Sequence, residues 1–117
     1  MGPVRVIYCT EPLSDDVLDA VHRLLMAKSE KVETSRQGGP VWDIWYPSPI
    51  VINVERPSKD ELDGELDVLF NLDLLPEDVE YQVVLSAGCK GEDDRRALNE
   101  LGDAISSMLS GKQWLYE

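Results

Sequence analysis

Ser58-Lys59-Asp60-Glu61-Leu62-Asp63-Gly64-Glu65-Leu66-Asp67-Val68-Leu69-Phe70 is the stretch on which the fold turns. At a period of 3.6, Ser58 and Glu61 match a capping box, and Leu62, Leu66, Leu69 and Phe70 follow at helical spacing. Asp60, Glu61, Asp63 and Asp67 then fall off the apolar stripe. At a period of 2, Leu66, Val68, Phe70, Leu72 and Leu74 alternate as a strand would, and Gly64 costs a helix interior about 1 kcal/mol relative to alanine. The capping signal favours a short acidic helix, with the strand reading left open.

On either side the elements are better marked. Val4 to Tyr8 is a β-branched apolar run closed by Thr10, Glu11 and Pro12, which reads as a strand. Ser14 caps a helix that carries Asp15 and Asp16 in its first turn, with Val17, Leu18, Val21, Leu24 and Leu25 in register to about Lys28. Residues 29–40 are polar and end in Gly38-Gly39-Pro40, so they are expected to be a connecting loop. Val41 to Tyr46 and Ile50 to Glu55 read as two strands of a hairpin around Pro47-Ser48-Pro49.

Beyond the acidic stretch, Tyr81, Val83 and Leu85 alternate with polar neighbours as a further strand. Glu92, Asp93 and Asp94 open a helix whose stripe runs through Ala97, Leu98, Leu101, Ala104, Ile105, Met108 and Leu109, with Gly111 as its stop. Trp114, Leu115 and Tyr116 close the chain as an edge strand or a packed tail. The order strand, helix, strand, strand, helix, strand spells an α+β, ferredoxin-like split βαβ pattern with one antiparallel sheet and an added C-terminal helix. A chain of 117 residues fits one α/β domain spanning 1–117, able to bury roughly 65% of its unfolded surface.

Charge narrows the partner class. The formal net charge is −12, and from Lys59 to Lys90 nine carboxylates meet no lysine or arginine. Phosphate binding needs clustered cations, so nucleic acid and anionic membranes are disfavoured. The leucines of the same stretch rule out a solvated acidic tail. An ordered acidic face calls for a basic protein, and Asp60, Glu61, Asp63 and Asp67 are the expected contacts. Trp42, Trp45 and Tyr46 supply candidate aromatic anchors. By alternation Trp42 and Tyr46 share one face and Trp45 takes the other, so one set is core. No signal-peptide pattern or 18-residue apolar window is present, and a cytoplasmic location is expected.

Chemistry has few candidates. Cys89 precedes a helix beside Lys90, which favours a thiolate, but Glu92, Asp93 and Asp94 oppose it and no base is evident. Its expected role is a small residue filling a turn. His22, the single histidine, borders an apolar stripe and is expected at the surface. Cys9, Cys89 and His22 lack metal-ligand spacing, the acids match no calcium loop, and the glycines fit no phosphate-loop fingerprint. No catalytic residue, metal or cofactor is expected.

Ser86-Ala87-Gly88-Cys89-Lys90-Gly91-Glu92-Asp93-Asp94-Arg95-Arg96-Ala97-Leu98-Asn99-Glu100-Leu101 carries a small-residue-Cys turn followed by an acidic helix start. It resembles a family of small uncharacterised bacterial proteins, often encoded beside polymorphic toxins and taken to be immunity proteins. Gly39-Pro40 before an aromatic strand and Pro49-Ile50 opening the next agree with it, so the resemblance covers mainly residues 39–55 and 70–109. Arg95 stands where that family usually has His, Asn99 where it has Gly, and its Gly-Gly-apolar ending is reduced to Ser110-Gly111-Lys112. The resemblance implies an immunity role; joined to the clustered carboxylates, it leads to the expectation of an inhibitor, monomeric or homodimeric, that occludes the active site of a cognate toxin with a basic surface. It transfers no catalytic residue. The competing readings are a cysteine-dependent enzyme using Cys89 and a ferredoxin-like ligand-binding or regulatory module.

Overall fold

The computed structural model describes residues 4–35, 41–45, 49–88 and 91–116. Among them, six strands form one sheet: β1 (Val4–Cys9), β2 (Lys31–Ser35), β3 (Val41–Trp45), β4 (Pro49–Glu55), β5 (Tyr81–Ala87) and β6 (Lys112–Tyr116). Their spatial order is β2-β3-β4-β5-β1-β6, and every neighbouring pair is antiparallel. The helices are α1 (Asp15–Lys28), α2 (Lys59–Asp63), α3 (Leu66–Asn71) and α4 (Glu92–Leu109).

This is the ferredoxin-like arrangement, with its usual central hairpin extended to the meander β2-β3-β4-β5. Helix α1 links β1 to β2, which run the same way, and α4 links β5 to β6 with β1 between them. The C-terminal helix α4 is therefore one of the two sandwich helices. The segment α2–α3 is an excursion between the adjacent strands β4 and β5.

Helices α1 and α4 cover one face of the sheet. Val21, Leu25, Ala97, Leu98, Leu101 and Ile105 pack there on Ile7, Ile52, Val83 and Leu85, all buried. The opposite face carries a smaller cluster, in which Leu62 of α2 and Leu69 of α3 pack on Val6 and Tyr8, with Trp114 and Tyr116 alongside. Strand β1 is thus buried on both faces, which is why Val6 to Cys9 is a continuous apolar run and not an alternating one.

One strand differs from expectation, and another decides between two open readings. Lys31–Ser35 was expected to lie in a loop but forms β2, paired only with β3. An edge strand needs little apolar surface, and Lys31, Glu33 and Thr34 are exposed while Val32 alone packs on the core. The chain end, for which a strand and a tail were both open, forms β6, the other edge.

Helix α4 ends through a left-handed residue, and that residue is Ser110 (φ 53°), not Gly111. Gly111 is required for space. A Cβ there would lie 2.5 Å from Ile7 Cγ2 and 3.0 Å from Cys9 Sγ. Gly38-Gly39-Pro40, the Pro47-Ser48 turn, Tyr46, Cys89 and Lys90 lie outside the described residues.

Candidate functional site

Helix α2 starts as its sequence dictates, with Ser58 Oγ accepting from the Glu61 backbone N–H at 3.2 Å. It does not continue. The chain breaks at Gly64-Glu65, where Glu65 has φ −117° and ψ 23°, and restarts as α3. The break resets the helical phase. Leu62 and Leu69 stay on the buried side, while Leu66 and Phe70, expected on the same stripe, turn outward.

Phe70 is 83% exposed and Leu66 is 49% exposed, whereas Leu69 between them is 1% exposed. Leu66 and Phe70 are four residues apart in one helix and so share a face. Asp60, Glu61, Asp63 and Asp67 are all exposed on the same pair of helices, and Asp73 follows in a left-handed turn at φ 59°. An aromatic ring and a leucine thus stand among five exposed carboxylates, with Lys59 as the one cation of α2–α3.

Several bonds fix this unit to the sheet. Lys112 Nζ on β6 donates to the Leu72 carbonyl just past α3 at 2.8 Å. Tyr116 OH donates to Glu65 Oε2 at 3.0 Å, and Tyr8 OH lies 2.9 Å from Tyr116 OH. A phenol has one proton, and that of Tyr116 is committed to Glu65, so Tyr8 donates to Tyr116. Burial is the main cause that raises the ionisation of both phenols above the ordinary tyrosine range. The Glu65 charge adds to the rise for both.

The expected anchors separate. Trp42 is 4% exposed in the core beneath α1 and α4, and its Nε1 donates to His22 Nδ1 at 3.2 Å. His22 is accordingly half-buried and structural, where an ordinary surface position was expected. Trp45 is 45% exposed and lines a depression of about 330 Å³ with Lys28, Glu30 and Arg96. That depression includes no residue of α2–α3. Strand β3 is separated from β1 by β4 and β5, so the structure does not bring Trp45 together with the four carboxylates. Tyr46 lies outside the described residues.

Cys9 is free and buried, and burial pushes its thiol up, while a hydrogen bond with Tyr81 lowers it in part. That is the opposite of what a nucleophile needs. Among the described residues, no group of three or more His, Cys, Asp or Glu side chains is placed to hold a metal ion. No helix among them is long and apolar enough to cross a membrane.

No protein-family model and no curated protein matches this chain. The chemistry of the α2–α3 face is therefore the argument for function. An exposed aromatic on a helical unit rich in exposed carboxylates is poorly matched to acidic surfaces and to other copies of itself. It suits a partner that offers an apolar hollow surrounded by lysine and arginine.

Proposed function

We propose that this chain is an immunity-type inhibitor: a cytoplasmic bacterial protein that binds one cognate toxin domain with a basic surface and occludes its active site. The observation that carries the reading is Phe70, 83% exposed on a docked helix among the carboxylates of α2–α3. A monomer that left this ring in water for no purpose would gain solubility from any polar replacement.

The two halves of the face have separable work. Clustered carboxylates steer a cationic partner and raise the rate of encounter, an effect that weakens as salt screens it. Phe70 and Leu66, once buried in the partner, slow dissociation. The resemblance in residues 86–101 supports the same role.

The test is to search the reading frames neighbouring this chain's gene for a toxin-like domain and to co-produce it with this chain. The native chain restores growth of the producing cell, and Phe70→Asp, which changes no buried contact, does not. Restored growth with Phe70→Asp, or none with the native chain, would count against the proposal.

A further inference from the structure

A cavity of about 390 Å³ lies between the second face of the sheet and α2, at the low end of the size range of small-ligand sites. Its apolar wall includes Val6 and Leu62, and its polar groups are Tyr8, Tyr116, Glu61, Glu65 and Gln82. Those polar groups have a common sense. Tyr116 spends its proton on Glu65, and Tyr8 spends its proton on Tyr116, so the Tyr8 oxygen is left to accept. Gln82 Nε2 donates to Glu55 Oε1 at 2.6 Å, which leaves Gln82 Oε1 to accept.

Glu65 uses Oε2 for Tyr116, and among the described residues nothing donates to its Oε1 or to the Glu61 carboxylate. Among the described residues that line the cavity, none is a lysine or arginine. The site therefore offers acceptors and negative charge beside an apolar wall. A carboxylate or phosphate would find there at most the second N–H of Gln82 Nε2, set against two carboxylates. A group that only donates, carries positive charge and ends an apolar stem satisfies every wall at once.

We infer that this cavity receives the end of one arginine or lysine side chain of the protein partner, the stem against Val6 and Leu62 and the cation between Glu65 and Glu61. The inference rests on the partner-binding reading above, since Glu61 belongs both to the cavity and to the exposed acidic face. It makes the cavity a charged specificity pocket on the same α2–α3 unit that carries the Phe70 anchor.

The experiment titrates the isotope-labelled chain with N-acetyl-arginine amide and N-acetyl-lysine amide. The uncharged control is N-acetyl-glutamine amide. The expected result is saturable amide shifts confined to β1, β5, β6 and residues 57–65 for the cationic probes and none for the glutamine analogue. Glu65→Gln keeps an acceptor for Tyr116 and so keeps the fold. It should weaken the probe about tenfold, the size expected for losing one charge-assisted contact. Glu61→Gln, at an exposed position, should weaken it by a smaller factor.

Shifts absent from these elements, equal shifts with the glutamine analogue, or probe binding indifferent to both substitutions would each overturn the inference. Because no partner is present, that failure is distinct from failure of the functional proposal, which is read from Phe70→Asp in the growth assay. A third arm compares native complex formation: Glu65→Gln should weaken it while leaving the unfolding transition in place. Tight binding of the partner by a folded Glu65→Gln chain, equal to native, would also overturn the inference.

Discussion

Leu69 and Phe70 are adjacent in the chain and opposite in environment, and replacing each by alanine measures whether α3 is docked as described. Leu69 is 1% exposed and packs with Val6, Tyr8 and Leu62. Truncating such a leucine removes its transfer free energy and leaves a cavity, at a cost of about 2–5 kcal/mol. A six-residue helix has no stability of its own, so little relaxation can recover the loss. A value of about 3 kcal/mol would lower Tm by roughly 10 °C in a domain of this size. Phe70, 83% exposed, loses almost no buried contact, and Phe70→Ala should change stability by less than about 0.5 kcal/mol. Urea unfolding followed by tryptophan fluorescence is the assay, since Trp114 packs on the same cluster as Leu69. A Phe70→Ala cost equal to that of Leu69→Ala would mean that the ring faces inward. A neutral Leu69→Ala would mean that α3 is not packed on the sheet, and either result removes the basis for the exposed face.

Three further outcomes follow from the packing. His22→Ala leaves the buried Trp42 indole N–H without its acceptor and should cost about 1–3 kcal/mol, with a non-additive double-mutant cycle against Trp42→Phe; additivity would deny the bond. Ser110→Gly relieves the left-handed backbone and should stabilise by about 0.5–1 kcal/mol, whereas Gly111→Ala drives a methyl group into Ile7 and Cys9 and should destabilise by about 1–3 kcal/mol; chemical denaturation reads both, and the reverse order would refute the assignment. Tyr8, Tyr81 and Tyr116 ionise above the ordinary range when folded, so the unfolded chain loses these protons first. Their contribution is whole below about pH 10 and declines as pH rises beyond it. Tyrosinate absorbance should appear for these three only together with unfolding; free titration near pH 10 in a native chain would contradict it.

What was legible in the sequence is what local chemistry decides. Helices α1 and α4 could be read because their apolar stripes run unbroken and their first turns carry acids, and β5 because it alternates. Strand β2 was hidden by its position: an edge strand with Lys31 and Glu33 outward looks like a loop until β3 supplies its partner. The roles within the sandwich were hidden as well. Only the pairing of β6 with β1 makes α4 the second sandwich helix and sends α2–α3 to the other face.

The candidate face shows the same division. Asp60, Glu61, Asp63 and Asp67 are exposed wherever the helix axis points, so they could be named from sequence. Phe70 could not, because the break at Gly64-Glu65 shifts the phase by an amount that only tertiary contacts fix. The glycine and the Leu62–Leu69 spacing of seven were the available signals. Trp42 shared a face with Ile44 by alternation, but which face became core depended on α1 and α4.

Association and dissociation rates of the native chain, Phe70→Ala and the double reversal Asp63→Lys, Asp67→Lys, measured over a range of salt against whichever toxin domain the native chain neutralises in the growth assay, test the central claim most directly. The account predicts that Phe70→Ala speeds dissociation about thirtyfold with its unfolding stability unchanged, the size of an interface hot spot. The double reversal should slow association and flatten its salt dependence. Native rates in both variants would contradict the assignment of α2–α3 as the binding face.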